Sequence, residues 1–338
     1  LTFVGSTRRV HRVAVSMPGA NGSLIRLLRG GSGKSAVIAA RCVMSRLGEL
    51  RQEAEWRKCV RSEKYFLEHY WYIAHPAEGR ILFKLRSAQA EALEQWAANR
   101  YSLSLKARQI GWTTLVAAHQ FWLAFFTPDQ NIIDLSRTER ESVLLLRKSK
   151  YGFSHMPKWM VERGPKQLIE HQQKMGFANG SQITSMPSAS DPARGESATL
   201  VVVDEWAFLP NAEEAWASIE PVADVGGRII GLSTANGSGN FFHELWVGAT
   251  TGANKFESMF FPWSATEDRG AAWYEEKKSS MLPWQLAQEY PTTPEEAFVK
   301  SGNPVFDLDL LEEMKRHVRF GESGYLHKVS ARSVEFRS

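Results

Sequence analysis

Thr199-Leu200-Val201-Val202-Val203-Asp204-Glu205 is the most hydrophobic strand-like stretch in the sequence. It shows no polar alternation, as expected of a strand covered on both faces, and it ends in two adjacent carboxylates. After it, a helical stretch near Glu213–Ile219 leads to a strand at Arg228–Leu232. A helix near Phe241–Val247 then leads to a strand at Phe256–Phe261. Before it, Asn179-Gly180 separates Lys174–Ala178 from Gln182–Met186, a strong short-range hairpin signal. Further back come a helix at Glu139–Tyr151, a strand at Ile132–Leu135, a helix ending at Phe126 and a strand at Tyr101–Leu105. A helix at Ser87–Arg100 precedes them, with Ala92, Leu93 and Trp96 on one stripe. Strands alternating with helices predict an α/β fold with a mostly parallel sheet flanked by helices. Ligands of such sheets bind beyond the carboxyl ends of the strands. Three polar strand tips converge there: Lys106–Thr114, Asp204-Glu205 and Ser233–Asn236.

The 338 residues are 43% hydrophobic and 23% charged, which supports an ordinary globular core and excludes wholesale disorder. Two cysteines, Cys42 and Cys59, exclude a disulfide framework and a cysteine zinc site. The longest apolar stretch, Thr114–Phe126, is interrupted by His119 and Gln120 and is too short to span a bilayer, so no membrane partner is expected. Eight positive charges precede the first acidic residue, Glu49, against +4 for the whole chain. Residues 49–338 are therefore net negative, and the basicity belongs to the N-terminal stretch. Residues 1–48 read as a basic, flexible tail, with a DNA-binding arm or a leader as the other readings. Residues 49–86 read as a helical N-terminal segment, 87–265 as the core, and 266–338 as a helical, Pro-punctuated subdomain.

Two phosphate-loop candidates occur. Gly31-Ser32-Gly33-Lys34-Ser35 lacks the upstream glycine, because Leu28 stands there, and no good strand precedes it. Lys106-Ala107-Arg108-Gln109-Ile110-Gly111-Trp112-Thr113-Thr114 follows a strand and opens a helix, the context that such a loop requires. Its N–H groups and the helix N-terminus form an anion site, Gly111 permits close backbone approach, and Thr113 stands where a hydroxyl ligates Mg²⁺. Lys106 occupies the first glycine position and Trp112 the usual lysine position.

The Asp204-Glu205 strand end completes this chemistry. Asp204 is placed to hold Mg²⁺ and Glu205 to polarise the attacking water of an ATP-hydrolysing site. Ser233 and Thr234 can touch the γ-phosphate. Gln89, at the start of the helix before the loop strand, can pair with the N6/N7 edge of adenine. Arg137, Arg140 and Arg194 are each candidates for an arginine finger. Asp307 and Asp309 resemble a metal-binding pair but read more simply as a helix cap and acidic first turn. The expectation is a P-loop additional-strand, RecA-like ATPase core with small helical N- and C-terminal elements. Its ligands are ATP and Mg²⁺.

The set resembles the large terminase subunit of tailed bacteriophages, specifically its ATPase portion. The resemblance is carried by Phe66-Leu67-Glu68-His69-Tyr70, Leu85-Arg86-Ser87-Ala88-Gln89, the Lys106–Thr114 loop, Arg194-Gly195 ahead of Leu200–Glu205, and Ser233-Thr234. Gln288-Glu289-Tyr290-Pro291 and Pro294-Glu295-Glu296-Ala297-Phe298 look like the segment between motor and nuclease. The resemblance implies a motor that drives double-stranded DNA through a portal protein into a procapsid in the host cytoplasm. It also implies a homo-oligomeric ring, commonly pentameric, and a small terminase subunit that selects the DNA. Arg108 would then approach the γ-phosphate, while Ser233 and Thr234 would couple its loss to movement. The chain ends at Ser338, soon after the linker, so nuclease activity is not expected of it. A helicase-like translocase and a non-hydrolysing nucleotide-binding scaffold are the alternatives.

Overall fold

The computed structural model describes residues 33–188, 197–224, 226–299, 314, 325–330 and 333–337. The chain divides into two units, residues 1–58 and 59–338. Helix α1 (Gly33–Arg61) provides the described part of the first. Its exposed surface carries pairs one turn apart, Arg46–Glu49 at 2.9 Å and Glu53–Arg57 at 2.7 Å. The described part of the expected flexible tail is therefore helical, and Gly33-Lys34-Ser35 of the incomplete loop motif begin that helix.

In the second unit, α2 (Glu63–Tyr70) is capped by the Ser62 hydroxyl, which accepts from the Tyr65 N–H at 3.1 Å. Strands β1 (Tyr72–His75) and β2 (Gly79–Leu82) then pair antiparallel, with Tyr72 opposite Leu82. This corrects the all-helical expectation for residues 49–86. The turn is made locally: Gly79 takes φ 72°, and the Ala77 and Glu78 N–H groups donate to His75 Nδ1.

There follow α3 (Ser87–Ala98), β3 (Tyr101–Lys106), α4 (Trp112–Phe126), β4 (Asn131–Ser136), α5 (Glu139–Ser154), α6 (Lys158–Arg163), β5 (Gln167–His171), β6 (Lys174–Phe177) and β7 (Gln182–Pro187). Then come β8 (Leu200–Asp204), α7 (Ala212–Asp224), β9 (Arg228–Ser233), α8 (Phe241–Thr250), β10 (Glu257–Phe261), α9 (Ala271–Ser280), α10 (Pro283–Glu289) and α11 (Pro294–Val299). Strands β11 (Tyr325–Ser330) and β12 (Ser333–Arg337) form an antiparallel pair, so the expectation of a helical 266–338 fails at its end. Tyr325 and Val329 in β11, and Val334 and Phe336 in β12, are residue types that favour a pleated surface.

The eight-stranded sheet has the order β10-β3-β9-β8-β4-β7-β6-β5. Strands β10 to β7 run parallel, and the β5–β6–β7 extension is antiparallel. Strand β9 is inserted between loop strand β3 and acid strand β8, which is the additional-strand order. All five residues of β8 are buried. Burying a valine contributes about 1.5–3 kcal/mol, so Val201, Val202 and Val203 hold this strand firmly at the sheet centre.

One sheet face packs Leu103, Val201, Val203 and Ile229 against Trp206, Phe242 and Phe256. Over the other lies α4, buried at ten positions. Phe121 and Phe125 of α4 meet Phe153 and Phe177 at ring-centroid distances of 5.6–6.0 Å. The two polar residues that interrupt the apolar run each find a hydrogen-bond partner on a neighbouring helix. His119 Nδ1 meets Glu63 at 2.9 Å, and Gln120 Nε2 donates to Ser149 Oγ at 3.1 Å. No helix of the described residues is long and apolar enough to cross a membrane.

Candidate active site

The loop 106–111 leaves β3 and turns into α4 through two left-handed residues, Gln109 at φ 58° and Gly111 at φ 84°. A side chain at Gly111 would be strained by that φ, and its Cβ would lie 2.7 Å from Gln89 Nε2. Helix α4 begins at Trp112, so the loop amides and the first turn of the helix form an anion-binding concavity.

Beside the loop lies a cavity of about 380 Å³. Residues 106–114 line it, with Asp204, Glu205, Ser136 and the face of α5 that carries Glu141, Leu144, Leu145 and Lys148. Lys106 is buried, and its Nζ donates to Glu205 Oε1 at 2.8 Å. The Thr113 hydroxyl donates to Asp204 Oδ2 at 3.2 Å. The first residue of the loop thus faces one carboxylate, and the first turn of its helix faces the other.

Burial by itself lowers the Lys106 pKa, but the charges of Glu205 and Asp204 outweigh it and hold the ammonium above the usual lysine value. For Glu205, burial pushes the carboxyl up, and the Lys106 charge and hydrogen bond overcome this to hold it below its usual value. Asp204 is pushed up to about 6 by burial and by the Glu205 charge, against the opposing pull of Lys106 and Thr113. Glu205 occupies the left-handed region at φ 51°, at the sharp turn from β8 into the short 3₁₀ turn Trp206–Phe208. A non-glycine residue held there carries backbone strain, a feature that clusters at functional sites.

Several sequence-predicted residues stand elsewhere than expected. The Arg108 guanidinium makes a two-point ion pair with Glu289, at 2.9 and 3.0 Å, instead of projecting toward the acid pair. The backbone repeats the connection, since the Arg108 N–H donates to the Glu289 carbonyl at 2.7 Å. Gln89 does not line the cavity. Its Nε2 donates to the carbonyls of Ile110 and Gly111, and its Oε1 accepts from the Arg86 N–H. Its amide braces the loop from behind, so the adenine-pairing expectation finds no free edge here. Trp112 is buried against Phe261 at 4.4 Å, a packing position that leaves no cation at the usual lysine site. Ser233 and Thr234 stand behind the acid pair. Ser233 Oγ accepts from the Ala207 N–H at 3.1 Å, and the Thr234 N–H donates to Glu205 Oε2 at 3.4 Å. Arg137 pairs with Glu141 at 2.7 Å, Arg140 is exposed, and Arg194, Asp307 and Asp309 lie outside the described residues.

Three residues that hold the loop carried no assigned role in the sequence reading. Glu289 and Arg86 are two; Arg86 Nη1 donates to the Ile110 carbonyl at 3.4 Å. Arg269 is the third, its guanidinium donating to the carbonyls of Arg108 and Gln109, each at 3.1 Å. Glu289 lies in a quoted segment, but nothing local marks it as the partner of a loop 181 residues earlier. The cavity face of α5 did have a signal, the i, i+3, i+4, i+7 spacing of residues 141, 144, 145 and 148.

A hydroxyl and a carboxylate facing each other at hydrogen-bond distance form a hard-oxygen donor set that fits a small divalent cation. A buried lysine and an anion-binding loop on the same cavity fit a polyphosphate. The site residues thus suit a metal–nucleotide substrate.

Residues 103–303 match the family described as terminase large subunit, T4likevirus-type, N-terminal. Among solved structures, the chain is similar to the large terminase ATPase domain of Thermus phage P74-26. That likeness has a TM-score of 0.53 and 19% identity, and covers 64% of this chain and 95% of the other. It is also similar to the large terminase of bacteriophage HK97, with a TM-score of 0.51 and 14% identity over 76% of this chain. The chain spans about half of the HK97 protein, 52% of its length. At these identities the likeness is one of fold.

Proposed function

The chain belongs to the T4likevirus-type large terminase family, whose N-terminal part it matches, and from that premise we propose that it hydrolyses ATP to drive double-stranded DNA into a viral procapsid. One observation carries the reading: two ion-pair and hydrogen-bond partners, Lys106–Glu205 and Thr113–Asp204, join the phosphate loop to the acid pair inside one cavity. An anion cradle, a hydroxyl–carboxylate cation site and a second carboxylate for water are the parts that phosphoryl transfer to water requires.

In this mechanism the loop amides and Lys106 bind the phosphates. Thr113 and Asp204 would hold a magnesium ion that arrives with the nucleotide, and its charge would offset that of the phosphate oxygens. Lys106 cannot serve phosphate and Glu205 equally. Phosphate entry draws the ammonium away, and Glu205 is left free to orient a water and accept its proton. The Thr234 N–H, already on Glu205, lets a shift of the carboxylate reach β9 and so couples the site to the sheet. As a packaging motor, the protein works in a homo-oligomeric ring on the portal protein, with a small terminase subunit supplying the DNA. DNA contact is electrostatic and sequence-independent.

A steady-state ATPase assay tests the reading. Glu205→Gln is expected to abolish turnover while retaining ATP binding, because the carboxylate acts on water and the cradle is elsewhere. Asp204→Ala is expected to weaken Mg²⁺-dependent binding itself. Turnover by Glu205→Gln near the wild-type rate removes Glu205 from the chemistry, and a wild-type chain that binds but never turns over ATP favours the scaffold reading.

A further inference from the structure

We propose that Lys148, on helix α5, binds the terminal phosphate of the nucleotide held in this cavity. The proposal rests on the nucleotide-hydrolysing reading above and adds a residue on a separate wall of the site.

Among the described residues, three cationic side chains line the cavity: Lys106, Arg108 and Lys148. Two are committed. Lys106 is paired with Glu205 at 2.8 Å and Arg108 with Glu289 at 2.9 Å. Lys148 makes no ion pair among the described residues, so it meets an incoming phosphate with no such partner to break. The carboxylate on its own helix face, Glu141, is occupied by the Arg137 guanidinium and the Thr138 N–H. Arg147 lies next to it in the chain. Burial and then the Arg147 charge lower the Lys148 pKa, while Asp204 pulls it the other way. Lys148 lines the same cavity as the acid pair Asp204 and Glu205, across from the phosphate loop's own residues.

The helix is fixed in place. Ser149 Oγ donates to the Ala117 carbonyl at 2.8 Å and accepts from Gln120 Nε2 at 3.1 Å. Both partners sit on α4, whose first turn carries Thr113. The Lys148 backbone and the phosphate loop thus belong to two helices bolted together one residue away from Lys148. A lysine on such a base is a positioned point charge on a flexible stem, suited to a phosphate whose oxygens move during cleavage. A triphosphate brings more negative charge than Lys106 alone can offset, and a preorganised cation aimed at the developing charge is a large contributor to catalysis.

The experiment uses the full chain with Lys148→Met, Lys148→Gln and the charge-retaining Lys148→Arg. Affinities for Mg·ADP and for a non-hydrolysable Mg·ATP analogue are measured by titration calorimetry, with kcat and KM for ATP alongside. The expected result is about a tenfold or greater loss of analogue affinity in Met and Gln, less than about twofold change for ADP, and a fall in kcat of about 10²-fold, with Arg restoring most of both. Equal weakening toward ADP and the analogue, or no change toward either in a wild-type chain that binds both, overturns the proposal. Loss of DNA-dependent stimulation alone, with nucleotide affinities intact, also overturns it and makes Lys148 a DNA contact. Failure of the wild-type chain to bind either nucleotide instead overturns the functional reading from which the proposal starts.

Discussion

Lys106 and Asp204 show how the site stores its chemistry in single residues. A phosphate loop must set positive charge against the phosphates, and Trp112, buried against Phe261, supplies none. Lys106 starts the same loop and faces the same cavity. Lys106→Ala is therefore expected to lower ATPase kcat by about 10²-fold or more, the scale of losing one electrostatic stabiliser. Trp112→Ala costs less activity and acts through packing, at about 3–5 kcal/mol of stability. Steady-state kinetics on both, beside their melting curves, separate charge from packing; a nearly silent Lys106→Ala means that the lysine has no part in the reaction. Asp204 gives a pH signature. Its folded pKa of about 6 lies above the ordinary 3.8, so the nucleotide-free folded chain binds the extra proton between those values. Its contribution to stability falls as pH rises through that window, and above about 6 the full cost is present, up to about 3 kcal/mol. Asp204→Asn is expected to raise the Tm of the nucleotide-free chain at pH 7.5 and to make little difference near pH 4, while Mg²⁺-dependent nucleotide binding is lost. Calorimetric scans across pH check the sign: a lower Tm for the Asn variant at pH 7.5 contradicts it.

At the scale of elements, the loop is held by what stands behind it. Gly111 needs φ 84°, and Gln89 fills the space a side chain would take. Gly111→Ala is expected to weaken ATP-analogue binding by tenfold or more, since left-handed strain and the Gln89 contact add to about 1–3 kcal/mol. Gln89→Ala should relieve the contact but not the φ, so the double variant recovers only part of the loss, a coupling of about 0.5–1 kcal/mol measurable in a binding cycle. Strict additivity would mean that the two residues do not meet. The elements themselves were legible to different degrees. Strand β8 was plain because four apolar residues run straight into two acids. Strand β7 was plain because Asn179-Gly180 punctuates it. The hairpin of β1 and β2 was hidden, since each strand is only four residues long and neither alternates cleanly between buried and exposed positions. Strand β5 was hidden because it is an edge that exposes Leu168 and Ile169 rather than alternating. Gln89 was found by its position ahead of the loop, but its partners are carbonyls more than twenty residues away, and no local pattern encodes which edge of an amide is spent.

Across the whole second unit, the loop is tied to a segment more than 150 residues further along. Arg269 donates to the Arg108 and Gln109 carbonyls, and Glu289 takes both the side chain and the N–H of Arg108. Arg269 is itself held over the Trp273 ring at 4.6 Å and the Tyr290 ring at 5.4 Å. The phosphate loop is thus a shared element, anchored at one end by the sheet and along its length by the segment 269–290. The carbonyls taken by Arg269 flank the left-handed residue Gln109, so losing the guanidinium frees the part of the loop with the least favourable backbone. Arg269→Ala is expected to speed amide hydrogen exchange at residues 108–111 by about tenfold, the equivalent of about 1.4 kcal/mol of local opening. Exchange in β3 and β8 should not change, because the buried sheet does not depend on this contact. Glu289→Ala should do the same to the Arg108 amide and also release the guanidinium toward the cavity, so it is expected to tighten ATP-analogue binding even as the loop loosens. Exchange mapped by mass spectrometry, with the analogue titrated into each variant, tests both halves. Uniform acceleration through β3 and β8 would make the segment a general support of the fold. Weaker analogue binding in Glu289→Ala would mean that loop order, and not the availability of Arg108, decides affinity.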